Sequence, residues 1–219
     1  LKLLVRKNKY TIIETSQVTP SIIASWAIRN KNARLISGLH QIFRKDRENR
    51  IVHKFFRFSV KSNPHIRFYA ISDCAVEKWI EFSKTPYKNI RRIYNAIHND
   101  YFSQKPDRDH VRKEFDIPLD SKLALYVGRL AAYKGIDTIL EALSPILEKE
   151  NIYLFYIGLP DDSICGTKEM VQNIKKTISI SQWGYRVKFI GYRTDIPRLM
   201  ASSDILVHPT RIEGFGLVL

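Results

Sequence analysis

The chain lacks the sequence signals of several common protein classes. Its 219 residues contain no apolar run near the roughly 20 residues that span a bilayer, and no stretch resembling a signal peptide. The motifs GxxxxGK[ST], GxGxxG and GxSxG are absent as well. A P-loop, a dinucleotide-binding fingerprint and a hydrolase nucleophile elbow are therefore unsupported.

Cysteine is scarce, and no cluster of side chains has the spacing of metal ligands. Cys74 and Cys165 lie far apart, so we expect reduced thiols in a cytosolic protein. The acidic groups Asp107-Arg108-Asp109 and Asp161-Asp162 do not closely follow an apolar strand with a suitable third ligand. We interpret them as solvated loop charges and expect neither a metal nor a cofactor.

Positive charge is abundant and unevenly distributed. Residues 1–120 carry 24 Lys and Arg against 12 Asp and Glu, whereas residues 121–219 carry 12 against 10. This asymmetry predicts two domains with different partners. Basic surfaces attract nucleic acids, anionic membranes or phosphorylated substrates, although a lysine-rich solvated surface gives the same composition.

Short apolar runs alternate with helical patterns along the chain, which favours an α/β fold with parallel sheets covered on both faces. Predicted strands cover residues 10–13, 33–37, 67–71, 90–93, 123–127, 152–157, 187–190 and 205–207. Predicted helices cover residues 20–29, 51–60, 73–82, 135–147, 168–180 and 195–201, and a basic segment covers residues 44–50. The polar stretch 95–118 is predicted to connect a domain of residues 1–105 to one of residues 106–219.

The last fifteen residues combine an apolar run with a lone acid and two glycines. Residues 205–207 are predicted to form a buried strand, and Glu213 precedes Gly214-Phe215-Gly216. This pattern predicts a loop that opens a helix, where free N–H groups suit phosphate or sugar oxygens. Glu213 is interpreted as a ligand-binding carboxylate, with a surface acid and a helix-start acid as alternatives.

Two cations lie between a predicted strand end and a predicted helix start. Gly128 allows a tight turn, and Arg129 and Lys134 follow it five residues apart. Because ligands of parallel sheets bind at the carboxyl ends of the strands, we predict a diphosphate site here. Solvated surface cations are the alternative. His40 also follows a predicted strand end and is a candidate acid–base group, although a lone histidine is more often incidental.

Together these residues resemble the retaining glycosyltransferases of family 4. The likeness is strong over residues 126–219 and weaker before them, at Tyr94-Asn95-Ala96-Ile97, Ile71-Ser72, His40 and residues 12–15. It is carried by Tyr126-Val127-Gly128-Arg129-Leu130, Lys134-Gly135, Ile157-Gly158, residues 187–192, residues 204–209 and residues 213–218. The resemblance implies a GT-B fold, with two Rossmann-like domains facing a cleft and both incomplete in this chain.

The resemblance also implies the roles of individual residues. Arg129 and Lys134 would hold the diphosphate of a UDP- or GDP-sugar, and Gly128 would form the turn beside it. Gly191-Tyr192 would lie near the base, and Glu213 would contact the donor sugar. The backbone of Gly214, Phe215, Gly216 and Leu217 would surround sugar and phosphate, and His40 would be the active-site histidine. No metal is implied.

The function implied is a hexosyltransferase-type transfer, with retention, to a glycan or lipid-linked acceptor, in bacterial surface polysaccharide synthesis. We expect a cytoplasmic protein with peripheral contact to an anionic membrane and no nucleic-acid partner. Ala96 and Leu159-Pro160 depart from the family pattern. The family's second glutamate, eight positions after the first, would fall beyond Leu219, so we expect a piece of a longer protein that is inactive alone.

Two other functions stay open on the sequence. A basic nucleic-acid-binding protein would need Lys and Arg interleaved with exposed aromatic residues, as residues 44–58 suggest. A catalytically inactive remnant that still binds a sugar nucleotide is the other alternative.

Overall fold

The computed structural model describes residues 1–28, 33–40, 50–63 and 65–219. The chain divides into two compact units. The first contains Leu1–Ala96 with Glu213–Leu217, and the second contains Ile97–Ile212 with Val218–Leu219. Each unit is built on a four-stranded parallel sheet connected through helices, so the predicted α/β, Rossmann-like architecture is confirmed.

The first unit has its strands in the order β1-β2-β3-β4. The strands are β1 (Ile12–Ser16), β2 (Arg34–Leu39), β3 (Ile66–Ala70) and β4 (Ile90–Arg92). The helices are α1 (Lys2–Asn8), α2 (Val18–Ile28), α3 (Arg50–Ser62) and α4 (Asp73–Ser83). The predicted cap of α4 is confirmed, because the Ser72 hydroxyl accepts a hydrogen bond of 3.1 Å from the Ala75 amide. Helix α2 begins at Val18, two residues before the Pro20 that was predicted to open it.

The second unit has the order β7-β6-β5-β8. The strands are β5 (Lys122–Val127), β6 (Ile152–Ile157), β7 (Val187–Gly191) and β8 (Ile205–Leu206). The helices are α5 (Arg108–Glu114), α6 (Ile136–Lys149), α7 (Thr167–Ile180) and α8 (Ile196–Ala201). The apolar runs of β5 and β6 arise because both sheet faces are covered. Ala124 and Tyr126 pack in one buried cluster with residues of α6 and α7, while Leu123 and Leu125 pack in another with residues of α5 and α8.

One helix was not predicted, and two expectations for the end of the chain are wrong. The polar stretch 95–118, predicted to connect the domains, contains helix α5, whose Val111 and Arg112 are fully buried. The predicted buried strand near the end of the chain is β8, which lies beside β5 at the edge of the described sheet, so Ile205 is 52% exposed. Residues 213–219 form bends and a turn instead of the start of a helix.

Three further properties concern the described residues. No helix among them is both long and apolar enough to cross a membrane. Within the same ranges, no three His, Cys, Asp or Glu side chains gather as metal ligands. Cys74 and Cys165 are both free thiols at the surface. The predicted basic segment lies outside the described ranges, except for Arg50 at the start of α3.

Candidate functional site

The carboxyl ends of β5, β6 and β7 meet at one edge of the second sheet. The Gly128 amide donates to the Ile157 carbonyl at 2.9 Å, and the Gly158 amide donates to the Gly191 carbonyl at 2.8 Å. A Cβ atom on Gly158, where φ is 141°, would lie 2.0 Å from the Gly128 carbonyl oxygen. Only glycine permits this close approach of two backbone turns, so the predicted convergence of these strand ends is confirmed.

A cavity of about 500 Å³ opens at this edge. Its lining includes Gly128, Arg129, Gly158, Asp161 and Tyr192. The Tyr192 side chain is 73% exposed, which leaves its ring accessible to a planar ligand. A hollow of similar size lies between α6 and α7, away from the strand ends. We assign the candidate site to the cavity at the strand ends, because that is where parallel sheets bind ligands.

Arg129 is held at this cavity by two side chains. Its Nη1 atom lies 2.5 Å from Asp161 Oδ2, and its Nη2 atom donates to the Tyr133 hydroxyl at 2.8 Å. The Arg129 side chain is 63% exposed, whereas that of Asp161 is 10% exposed. Asp161 is therefore not the solvated loop charge that the sequence suggested. It is a counter-ion of the candidate phosphate-binding cation.

Lys134 ends a single turn of 3-10 helix, Ala132–Lys134, directly before α6. Its Nζ atom lies 5.5 Å from the centroid of the Tyr133 ring. The next residue, Gly135, has a φ of 72°, and a Cβ atom there would lie 2.3 Å from the Pro209 carbonyl oxygen. Glycine thus lets the loop after β8 lie against the start of α6. Lys134 is not among the residues that line the cavity, but it shares Tyr133 with Arg129.

Arg211 ties the loop after β8 to the same region. Its amide donates to the Tyr133 carbonyl at 2.9 Å. Its guanidinium donates to the Ala132 carbonyl at 2.6 Å and pairs with Asp137 at 3.2 Å. Burial alone would raise the pKa of Asp137, but the Arg211 hydrogen bond, the Thr138 amide and the Arg211 charge together hold that pKa below its usual value. These bonds hold the loop after β8 against the start of α6.

A second arginine of the cavity, Arg193, is engaged in a structural cluster. It pairs with Asp195 and with Glu114, each at 2.7 Å. The Arg193 hydrogen bond is the main reason that the pKa of Asp195 lies well below its usual value. Arg198 joins the same cluster through a 2.7 Å bond to Asp195. Arg193 is thus paired with two acids, whereas Arg129 pairs with Asp161 and keeps a largely exposed side chain.

His40 lies at the carboxyl end of β2 in the first unit. Its Nε2 atom is 3.4 Å from the Tyr69 hydroxyl, which donates to Glu14 Oε1 at 3.0 Å. Burial, followed by the Glu14 bond, raises the pKa of Tyr69 and keeps it a hydrogen-bond donor. A Cβ atom on Gly38 would lie 2.5 Å from the Tyr69 hydroxyl and 2.7 Å from His40 Nε2, so glycine makes room for this contact.

Sequence reasoning did not single out Glu14 or Tyr69. Glu14 lies in β1 and Tyr69 lies in β3, the two strands that flank β2, at whose end His40 lies. Residues near the ends of adjacent parallel strands converge at one edge of the sheet.

The segment Glu213–Leu217 belongs to the first unit. Glu213 Oε1 accepts a 3.0 Å hydrogen bond from the Gly214 amide, and a Cβ atom on Gly214 would lie 3.4 Å from the His40 carbonyl oxygen. The Phe215 ring lies 5.7 Å from the Tyr94 ring. Gly216 has a φ of 80°, and Leu217 is 51% exposed. The structure thus places His40 and residues 213–217 in the first unit. The second unit holds the remaining candidate site residues, which are Gly128, Arg129, Lys134, Gly191 and Tyr192.

These units define an α/β protein of the GT-B class, with glycine turns and a basic side chain at the carboxyl ends of one sheet. The model for "Glycosyl transferases group 1" matches residues 107–219, just over half of the chain, and the chain belongs to that family. HepE of Anabaena, solved in complex with UDP, superposes with a TM-score of 0.84 at 20% identity. The match covers 99% of this chain and 58% of that one, and it shows the shared fold.

Curated relatives match parts of the chain. The O-antigen biosynthesis glycosyltransferase WclY of Escherichia coli is 34% identical over 137 residues, which are 62% of this chain and 35% of that protein. The N-acetyl-alpha-D-glucosaminyl L-malate synthase of Bacillus anthracis is 24% identical over 168 residues, or 77% of this chain and 41% of that protein. The chain therefore spans well under half the length of these two relatives.

Proposed function

We propose that the protein transfers a sugar, with retention, from a UDP- or GDP-sugar to a glycan or lipid-linked acceptor in bacterial surface polysaccharide synthesis. The observation that carries this proposal is the cavity at the carboxyl ends of β5 to β7, with Arg129 at its edge and Lys134 at the start of α6. Family membership, the UDP complex of HepE and the O-antigen role in WclY's name support it.

The second unit supplies the donor-binding residues in this proposal. Arg129 and Lys134 bind the diphosphate and stabilise its charge as it departs, which is electrostatic catalysis. Gly128 keeps its turn open beside the phosphates. Gly191 and Tyr192 lie against the base, where the exposed Tyr192 ring offers a stacking surface.

The first unit supplies the groups that act at the sugar. Glu213 accepts hydrogen bonds from the sugar hydroxyls, and the backbone of Gly214, Phe215, Gly216 and Leu217 surrounds sugar and phosphate. His40 is the acid–base or polar catalytic group. Its ring is oriented by Tyr69, which Glu14 holds in turn. The reaction as proposed uses no metal and no cofactor.

Nucleotide binding and sugar transfer test the proposal separately. The 219-residue chain is expected to bind UDP or GDP in calorimetric titrations, and the protein is expected to transfer sugar from one member of a labelled donor panel. We predict that the 219 residues alone bind the nucleotide but do not transfer sugar. Sugar transfer by the purified 219-residue chain would contradict this prediction. Absence of nucleotide binding would contradict the proposed function itself. Nucleotide binding without sugar transfer from any donor, by the 219-residue chain and by any longer protein that contains it, would indicate an inactive remnant.

The outer face of α3 supports peripheral contact with an anionic membrane. Ile51, Phe55 and Phe58 are 60%, 44% and 53% exposed there, and Lys54 and Lys61 are exposed among them. Residues 50–62 contain no Asp or Glu. From α2, Trp26 contributes a half-exposed ring 5.6 Å from that of Phe55. Aromatic and aliphatic groups among cations suit the boundary between lipid headgroups and acyl chains.

Vesicle binding tests this face. The chain is expected to sediment with vesicles containing phosphatidylglycerol and not with pure phosphatidylcholine. Replacing Lys54 and Lys61 by Gln should weaken binding about 30-fold, since each cation near such a surface contributes about 1 kcal/mol. The matched control replaces Lys149 and Lys176, exposed on α6 and α7, by Gln and should bind as the unchanged chain does. Equal loss in both variants would contradict a localised surface. Salt-sensitive RNA or DNA binding without UDP or GDP binding would favour the nucleic-acid alternative.

A further inference from the structure

Tyr133 contacts both candidate phosphate-binding cations. Its hydroxyl accepts the 2.8 Å hydrogen bond from Arg129 Nη2, and its ring lies under Lys134 Nζ at 5.5 Å. Its carbonyl accepts hydrogen bonds from the Arg211 amide at 2.9 Å and the Thr210 hydroxyl at 3.4 Å. A half-buried side chain in the turn before α6 thus joins both cations and the loop after β8.

We propose that Tyr133 is a positioning residue that orients Arg129 and Lys134 toward the donor diphosphate. This inference rests on the proposed function, because it needs a nucleoside diphosphate in the site. Tyr133 has no charge to offer a phosphate, and it acts through the two cations. It restricts two long side chains that otherwise lose much rotamer freedom when the ligand binds.

The arrangement of Arg129 explains why a neutral partner is needed. Asp161 pairs with Arg129 Nη1 at 2.5 Å and would compete with a phosphate for the guanidinium. The Tyr133 hydroxyl holds Nη2 without adding negative charge, so Arg129 stays oriented when a diphosphate replaces Asp161 as its anionic partner. Preorganisation of this kind strengthens binding without adding a contact to the ligand.

Two substitutions separate the contributions of the hydroxyl and the ring. Tyr133→Phe removes the hydrogen bond to Arg129 and keeps the ring under Lys134, and we expect it to weaken UDP or GDP binding about fivefold. Tyr133→Leu removes both contacts, and we expect a loss of about 10- to 30-fold. The backbone hydrogen bonds to the carbonyl remain in both variants, and circular dichroism checks that both fold.

Nucleosides distinguish positioning from a general structural role. Uridine and guanosine carry no phosphate, so their binding, followed by saturation-transfer NMR, should be unchanged in both variants. In an Arg129→Gln background, Tyr133→Phe should cause no further loss of diphosphate affinity, because the residue it acts through is gone.

Three results would overturn the inference. The first is Tyr133→Leu binding UDP and GDP as tightly as the unchanged chain. The second is an equal loss of nucleoside affinity, which would make Tyr133 part of the general structure. The third is an additional fivefold loss on Arg129→Gln. Failure of the unchanged chain to bind any of the four ligands would overturn the proposed function, and this inference with it.

Discussion

Replacing both Arg129 and Lys134 by Ala is expected to weaken UDP or GDP binding at least 100-fold. Each cation supplies a charge-assisted hydrogen bond of about 1.5–3 kcal/mol to a phosphate, and two such losses correspond to about 10²- to 10⁴-fold. Sugar transfer should fall by at least the same factor, since the diphosphate gains negative charge as it leaves and needs both cations more in the transition state.

The control variant loses the same number of positive charges, but at positions away from the candidate site. Lys149→Ala with Lys176→Ala also removes two positive charges from the second unit, at exposed positions on α6 and α7. We expect its nucleotide affinity to stay within about twofold of the unchanged chain at physiological salt, where exposed distant charges are largely screened. Transfer or binding at the normal level in the Arg129 and Lys134 double variant would rule out the assigned phosphate role.

Replacing Arg112 by Ala is expected to lower the free energy of unfolding by about 3–5 kcal/mol, as for other buried ion pairs that lose one partner. The Arg112 side chain is fully buried and pairs with Asp204 at 2.9 Å. It also donates to the Ser121 carbonyl at 3.1 Å and to the Ser202 carbonyl at 2.9 Å. Removing the guanidinium takes this donor from the Ser121 and Ser202 carbonyls and leaves Asp204 with Arg108 and the Leu123 amide as its partners.

Urea denaturation of Arg112→Ala and of a control variant, Lys122→Ala, measures the free energy of unfolding that each one loses. Lys122→Ala removes a more distant and exposed cation near Asp204, at 3.7 Å with a 68% exposed side chain, and should cost less than about 1 kcal/mol. A similar loss in Lys122→Ala and Arg112→Ala would show that burial of the pair does not matter. Because β8 leads into the loop after it, Arg112→Ala should also lower nucleotide affinity, even at temperatures where the variant stays folded.

The same pair makes stability depend on pH. Burial alone would raise the pKa of Asp204, but the Leu123 amide and the Arg108 and Arg112 guanidinium groups hold it below the ordinary value of 3.8. A carboxyl with a lower pKa in the folded state contributes its stabilisation above the unfolded pKa. That contribution is lost as the pH falls through the lowered folded value. The difference in stability between the unchanged chain and Asp204→Asn should therefore shrink below about pH 4.

Local patterns in the sequence were sufficient for most of the second unit. The apolar runs of β5 and β6 and the helical spacing of α6 predicted those elements within a few residues, because both faces of that sheet are covered. The glycines after the strands and the five-residue spacing of Arg129 and Lys134 marked the candidate site. The family resemblance rested on the same residues, and membership of the broader family of glycosyl transferases group 1 is confirmed.

Where the sequence failed, the deciding interaction joined residues distant in the chain. Helix α5 was missed because its inward face is held by Arg112, whose partners Ser202 and Asp204 lie about 90 residues later. Asp161 was misjudged because its partner Arg129 lies 32 residues earlier, at the end of another strand. Glu14 and Tyr69 reach His40 only through the register of three parallel strands.

The sequence by itself determined the α/β class, the candidate phosphate-binding cations and the family, because each depends on residue type and local spacing. Tertiary structure alone decided how those side chains are held. Hydrogen bonds and ion pairs act over about 3 Å, and which residues come that close is set by strand order and register. The pairing of Arg129 with Asp161 and Tyr133, and of His40 with Tyr69, is therefore information that only the folded chain contains.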